Sequence, residues 1–288
     1  MRDVSSGLMK LLVNEVGVRH GLVVGESAGE FVLSGGRGCR VVLPHTRLDR
    51  LVARAPRQLW ATLIGDRLDA QLADLAAGQL DMARLAAVRA RLRTRLCSTR
   101  TSGLINDVRR LVAPGLLQRV LIDYGEFLVP VTYTAAQRWG ARESDLFEIA
   151  ERNTRAEGGL DLMAAEIDGM GDVDLRMIYG ASDFVTAHVR WLDDYPVVGP
   201  WGALLVLPGH THVLVHPVTG PTVFAGTTLL AQLLVAGEAD ARPISRAIYW
   251  WRNRVAVEIA ATIRGSGESM RVVPADHLES LLEVMRRD

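Results

Sequence analysis

The most concentrated chemistry in this chain is the run His210-Thr-His212-Val-Leu-Val-His216. In extended backbone, alternate side chains share a face, so His210, His212, Leu214 and His216 would line one side of a strand. Two imidazoles at this spacing can hold one metal ion, which makes His210 and His212 the metal-ligand candidates. At about 3.3 Å per residue, His216 would lie roughly 13 Å from His212, out of reach of the same ion unless the strand bends. A metal site here would need a distant third ligand, and Asp183, His188 and Glu258 offer one. The same His210, His212 and Asp183 are the candidates for acid–base catalysis. The plainer alternative is a polar hairpin turn that happens to carry two histidines.

Other segments are chemically loaded to a lesser degree. Tyr179-Gly-Ala-Ser-Asp183 reads as a strand running into a turn, with His188 and Trp191 on the element that follows. Such a turn can present backbone N–H groups to an anion, although Ser182 or Asp183 capping a helix is the simpler reading. Tyr249-Trp250-Trp251 places Trp250 on the opposite face from its neighbours, so one side faces a core and the other can line a ligand pocket. Together with Trp201 after Gly199-Pro200, the ligand-lining candidates are Tyr179, His188, Trp191, Trp201, Trp250 and Trp251.

The segment 84–100 carries Arg84, Arg89, Arg91, Arg93 and Arg95 around a stripe of Leu85, Val88, Leu92 and Leu96. This spacing predicts a basic helix that could meet nucleic acid, but it lacks interleaved aromatics and any nucleic-acid motif. Gly25-Glu-Ser-Ala-Gly29 matches the spacing of a nucleophile elbow. That motif needs a helix after the serine, and Glu30 begins a strand pattern instead. Cys97 has arginines nearby that could lower its pKa, but no phosphatase-type loop surrounds it. There is no phosphate-binding or dinucleotide fingerprint.

The elements that must position these residues alternate between hairpins and helices. Residues 7–17 predict a short helix. Residues 30–34 and 40–44 predict a hairpin around Gly35-Gly-Arg-Gly38. Residues 46–78 predict helix broken near Pro56, and residues 80–97 a second helix. Strands follow at 108–112, 119–123 and 127–132. Thr134 with Gln137 suggests a capping box for a turn at 135–139, and Ser144 with Asp145 a further helix start. Residues 158–174 read as a loop around a short helix. Strands at 175–179, 203–207 and 213–217, a helix at 222–236 and strands at 248–253 and 255–263 complete the pattern, with Pro274 opening a last helix. This order predicts an α+β fold of mixed or antiparallel sheets with hairpins, flanking helices and a helical middle segment. The break at Thr101-Ser-Gly103 suggests an N-terminal unit over 1–102 and a C-terminal α+β domain over 103–288.

Composition narrows the classes. The 288 residues include 33 basic and 33 acidic side chains, so no global charge draws the chain to nucleic acid or to a membrane. Lys10 is the only lysine, leaving 32 of the 33 basic residues as arginine, the bias of a GC-rich coding sequence. Cys39 and Cys97 stand alone, which suggests neither a zinc knuckle nor a disulfide framework. No window reaches 18 uninterrupted apolar residues. The expectation is a cytoplasmic protein without a membrane role. Nucleic acid is disfavoured as a partner. A small molecule, a protein or a second copy in a homodimer is left open, as is any cofactor.

Several stretches resemble the YtpQ-like family of bacterial proteins, whose activity is not established. They are Phe31-Val-Leu with Val41-Val-Leu-Pro44, Val120-Leu-Ile-Asp-Tyr124 with Phe127-Leu-Val-Pro-Val131, and Trp139 with Glu148-Ile-Ala-Glu-Arg-Asn153. Ala203-Leu-Leu-Val-Leu-Pro208 with Val213-Leu-Val215, and Pro243-Ile-Ser245 with Tyr249 and Glu258-Ile259, complete the likeness. The resemblance spans most of the chain and implies a scaffold, with no site residue carried over. The turn after Pro208 departs from the family pattern by carrying His210 and His212. The function expected is a binding or interaction module with a groove built from strands 203–217 and 248–263. A small-molecule enzyme using His210, His212 and Asp183, with or without a metal, is the first alternative. A nucleic-acid binder using the 84–100 helix is the second.

Overall fold

The computed structural model describes residues 2–27, 29–35, 40–76, 84–101, 104–158, 160–165, 173–220, 222–237, 243–252, 256–265, 269–276 and 278. It shows an α+β fold built on two antiparallel seven-stranded sheets.

The chain opens with α1 (Arg2–Arg19), followed by β1 (Val23–Ser27), β2 (Glu30–Ser34) and β3 (Arg40–Pro44). Helices α2 (His45–Val52), α3 (Trp60–Ala76) and α4 (Leu85–Val88) come next. Strands β4 (Leu92–Ser98), β5 (Arg109–Ala113), β6 (Leu116–Asp123) and β7 (Leu128–Pro130) complete the first sheet, and α5 (Tyr133–Arg138) and α6 (Glu143–Ala156) follow. The strand order is β1-β2-β3-β7-β6-β4, with β5 also on β6. Alternation explains the core: Phe31 and Leu33 of β2, Val41 and Leu43 of β3, and Val120 and Ile122 of β6 bury one face together with α1, α3 and α6 residues.

The second sheet contains β8 (Asp161–Ala165), β9 (Leu175–Tyr179), β10 (Ala203–Val206), β11 (His212–Pro217), β12 (Ala247–Arg252), β13 (Ala256–Arg264) and β14 (Arg271–Pro274). Its order is β14-β13-β12-β10-β11-β9-β8. Helix α7 (Val223–Gly237) covers one face, where Leu230 and Leu234 share a core with Leu204, Val206, Ile248 and Trp250.

The chain divides into two units, and the division is discontinuous where the sequence suggests one cut near residue 102. The first holds residues 1–94, 101–109 and 119–157; the second holds 95–100, 110–118 and 158–288. The physical reason is strand pairing: β7 hydrogen-bonds β3, which ties residues after 119 to the N-terminal strands.

Three local expectations change. The basic helix over 84–100 stops early: α4 covers one turn, a 3-10 turn spans Arg89–Arg91, and residues 92–98 form β4. Leu92 and Leu96 fit period two as well as helical spacing, so tertiary pairing decides between them. The helix of residues 133–138 is capped by Thr132, whose hydroxyl accepts from the Ala135 N–H at 3.1 Å, not by Thr134. The stretch read as a loop before residue 174 contains strand β8. Pro274 ends β14, and helical backbone begins at Asp276, two residues after it. Most of the expected last helix, the glycine turn at 36–38 and Cys39 lie outside the described residues.

Candidate functional site

Strand β11 carries the histidines. His212 begins it, His216 lies near its end, and His210 sits in the preceding turn. Parity holds, because His212, Leu214 and His216 share the face on which α7 packs. Leu214 joins the α7 core, and the His216 ring lies against Gly226 of α7. His216 is 1% exposed, and its Nδ1 donates to the Asp174 carbonyl at 2.8 Å. Burial pushes its pKa below the usual 6.5, with the Asp174 carbonyl and carboxylate opposing that shift. It is a neutral imidazole fixed as the Nδ1–H tautomer. His216 is therefore a packed core residue on the α7 side.

His212 is half-buried, and burial also holds its pKa below 6.5. Its Nδ1 lies 3.4 Å from the Thr211 hydroxyl. His210 is buried in the turn. Among the described residues, no three or more His, Cys, Asp or Glu side chains converge as a metal site. Asp183, His188 and Glu258 therefore do not complete a metal set with His210 and His212. Glu258 instead takes both of its oxygens to Arg252, at 2.9 and 3.0 Å.

The remaining predicted residues sort by exposure. Asp183 is buried. His188 and Trp191 are buried in a 3-10 segment (Val185–Asp194) and bonded to each other: the Trp191 Nε1–H donates to His188 Nδ1 at 3.0 Å. The Tyr195 hydroxyl meets the same nitrogen. An indole N–H can only donate, so this nitrogen is an acceptor and the neutral imidazole carries its proton on Nε2.

Trp250 and Trp251 are buried as well. Trp250 donates to the Trp201 carbonyl at 2.8 Å, and the Arg252 guanidinium lies over its ring, 4.9 Å from the centroid. The approach needs Gly202, at φ +92°, where a Cβ would come 3.0 Å from the Trp250 Nε1. Strands 203–217 and 248–263 are neighbours in one sheet. Strand β10 pairs with both β11 and β12, and all of its residues are buried.

That leaves Tyr179, Trp201 and His212 with part of their surface exposed. Two of these come together. His212 stands directly opposite Tyr179 in the β11–β9 pair, and Tyr179 stands directly opposite Asp161 in the β9–β8 pair. Directly opposed residues share a face with Cβ atoms about 5 Å apart. An imidazole, a phenol and a carboxylate thus stand in one row across three strands, spanning about 10 Å at the interstrand spacing. Asp161 escapes sequence reasoning because residues 161–165 alternate no apolar and polar types. Only the strand pairing brings it into register with Tyr179.

The fold and this row define an α+β protein with a polar, part-exposed row at one end of the sheet face that α7 covers. Comparison with models of known protein families, with curated proteins and with solved structures found no match.

Proposed function

We propose that the chain is a binding module that recognises a small hydroxyl-rich ligand, of sugar or polyol size, through His212, Tyr179 and Asp161. The observation that carries this reading is the unbroken register His212–Tyr179–Asp161 across β11, β9 and β8. A neutral imidazole offers one donor and one acceptor, a phenol can do either, and a carboxylate only accepts. Ligand hydroxyls satisfy all three at once, because each hydroxyl both donates and accepts. The carboxylate disfavours anions, and the row's length of about 10 Å matches one sugar ring with its substituents.

A small-molecule enzyme is the second reading, favoured by the same row, since these three side-chain types serve as general acids and bases. The nucleic-acid reading has less support. Arg95 is buried, Arg93 pairs with Glu157, and Arg91 lies over the Tyr124 ring, so these arginines form no common basic face. The resemblance to the YtpQ-like family stays a proposal resting on scaffold residues, as do a cytoplasmic location and a homodimer. No described helix is long and apolar enough to cross a membrane.

The test is a thermal-shift screen of the purified protein with glycerol, ribose, glucose, acetate and methylammonium. A sugar or polyol should raise Tm, and the rise should vanish in Tyr179→Phe and His212→Ala. Stabilisation by acetate alone, or an unchanged response in both variants, would count against the reading.

A further inference from the structure

The N-terminal unit has a cleft of its own, with a volume of about 340 Å³. That is within the size range of small-molecule sites, about 300–1,000 Å³. One wall is a face of α6, where Asp145, Glu148, Ile149 and Arg152 follow helical spacing. The opposite wall is Leu85 and Arg89 around α4, and the floor is the turn Trp139-Gly140-Ala141.

Both walls are fixed by backbone chemistry. Asn153 on α6 donates to the carbonyls of Arg89 at 2.8 Å and Leu92 at 3.1 Å, clamping the turn that carries Arg89 to α6. The floor is a Schellman motif closing α5. The Gly140 N–H bonds the Gln137 carbonyl and the Ala141 N–H the Ala136 carbonyl, both at 3.0 Å, with Gly140 at φ +62°. The half-buried Trp139 packs on the core at this turn.

The lining carries two acids, Asp145 and Glu148, and two arginines, Arg89 and Arg152. Asp145 receives two hydrogen bonds from Arg142, at 3.0 and 2.9 Å, which hold its pKa below the usual range. Glu148 pairs with Arg152. Arg89 is exposed, and among the described residues no hydrogen bond or ion pair engages its guanidinium. Because Arg142, outside the lining, bonds Asp145 and Arg152 bonds Glu148, Arg89 is the lining cation that no described acid engages, beside the side chains of Trp139, Ile149 and Leu85.

We propose that this cleft is a second binding site, for an aromatic carboxylate whose ring packs against Trp139, Ile149 and Leu85 and whose carboxylate pairs with Arg89. A guanidinium fork matches a carboxylate in a two-point hydrogen bond, and the indole supplies a flat apolar partner. The cleft shares no residue with the His212 row, so failure of either site leaves the other standing.

Isothermal titration of the full chain with 2-naphthoate, and with its neutral counterpart 2-naphthamide, tests the proposal. The acid should bind about tenfold tighter than the amide, the worth of one charge-assisted pair. Arg89→Gln should bring the acid down to the amide's affinity while leaving Tm unchanged, because Arg89 is exposed. Arg89→Lys, which keeps the charge and loses the fork, should fall between them and carries the test if the glutamine variant fails to fold. Equal affinities in the parent protein, an Arg89→Gln affinity unchanged for the acid, or no binding of either probe up to about 10 mM would overturn it.

Discussion

The ring of His216 is seated against the backbone of Gly226, so closely that a Cβ at residue 226 would fall 2.6 Å from both Cγ and Nε2 of the imidazole. The helix must therefore carry glycine where β11 passes beneath it. Gly226→Ala should destabilise the protein by about 1–3 kcal/mol, the usual cost of overpacking. His216→Ala in the same chain should recover part of that loss. A double-mutant cycle of urea unfolding reads the coupling, and additive effects would show that the two residues do not share the space.

Glu30 and Arg119 form an ion pair of 2.9 Å in the N-terminal unit, with the two side chains 2% and 1% exposed. Removing one partner leaves a buried charge, so Glu30→Gln or Arg119→Met alone should each cost about 3–5 kcal/mol. The combined replacement should cost less than the sum. Denaturant midpoints of the three variants check this, and a double variant as unstable as the sum would contradict it.

Acid should weaken the fold through His212 and His216. Burial depresses both pKa values in the folded state, whereas the unfolded chain takes up protons near 6.5. Below 6.5 the unfolded state then binds more protons, so this stability is complete above 6.5 and is lost as pH falls toward the folded values. The slope for each histidine cannot exceed about 1.4 kcal/mol per pH unit. Tm measured between pH 7.5 and 5 should fall less steeply in the His212→Asn, His216→Asn variant. His45 is displaced in the same direction by burial and should preserve part of the slope. Identical slopes would contradict the assignment.

Helix α5 separates local signals from observed caps. Thr132→Ala should cost about 0.5–2 kcal/mol through loss of its hydrogen bond to the Ala135 N–H. Thr134→Ala should be close to neutral, since among the described residues its hydroxyl makes only a long contact of 3.4 Å with Asn106. Chemical denaturation of both variants measures the difference.

The hairpin β2–β3, the strands β9 to β13 and helix α7 were legible because each is a largely apolar run of strand or helix length bounded by turn residues. The 92–98 strand was not. Its leucines satisfy helix and strand periods alike, and what selects the strand is pairing within the sheet, which no local window contains. Site legibility failed for the same reason. His212 and Tyr179 stand out by residue type, but 33 residues separate them in sequence and only the β11–β9 register makes them neighbours. The tryptophans at 250 and 251 read as one side core and the other open to a pocket, and in the sheet, where β12 pairs β10, both are buried.

The most direct test of the His212–Tyr179–Asp161 site is NMR of the His212 ring nitrogens in ¹⁵N-histidine-labelled protein, titrated with ribose, glucose and glycerol. The site predicts a saturable shift of the His212 signals with at least one of these, weakened in Tyr179→Phe and in Asp161→Asn. If none of the three moves the His212 signals while acetate does, or if both variants respond as the parent protein does, the row is not the ligand site.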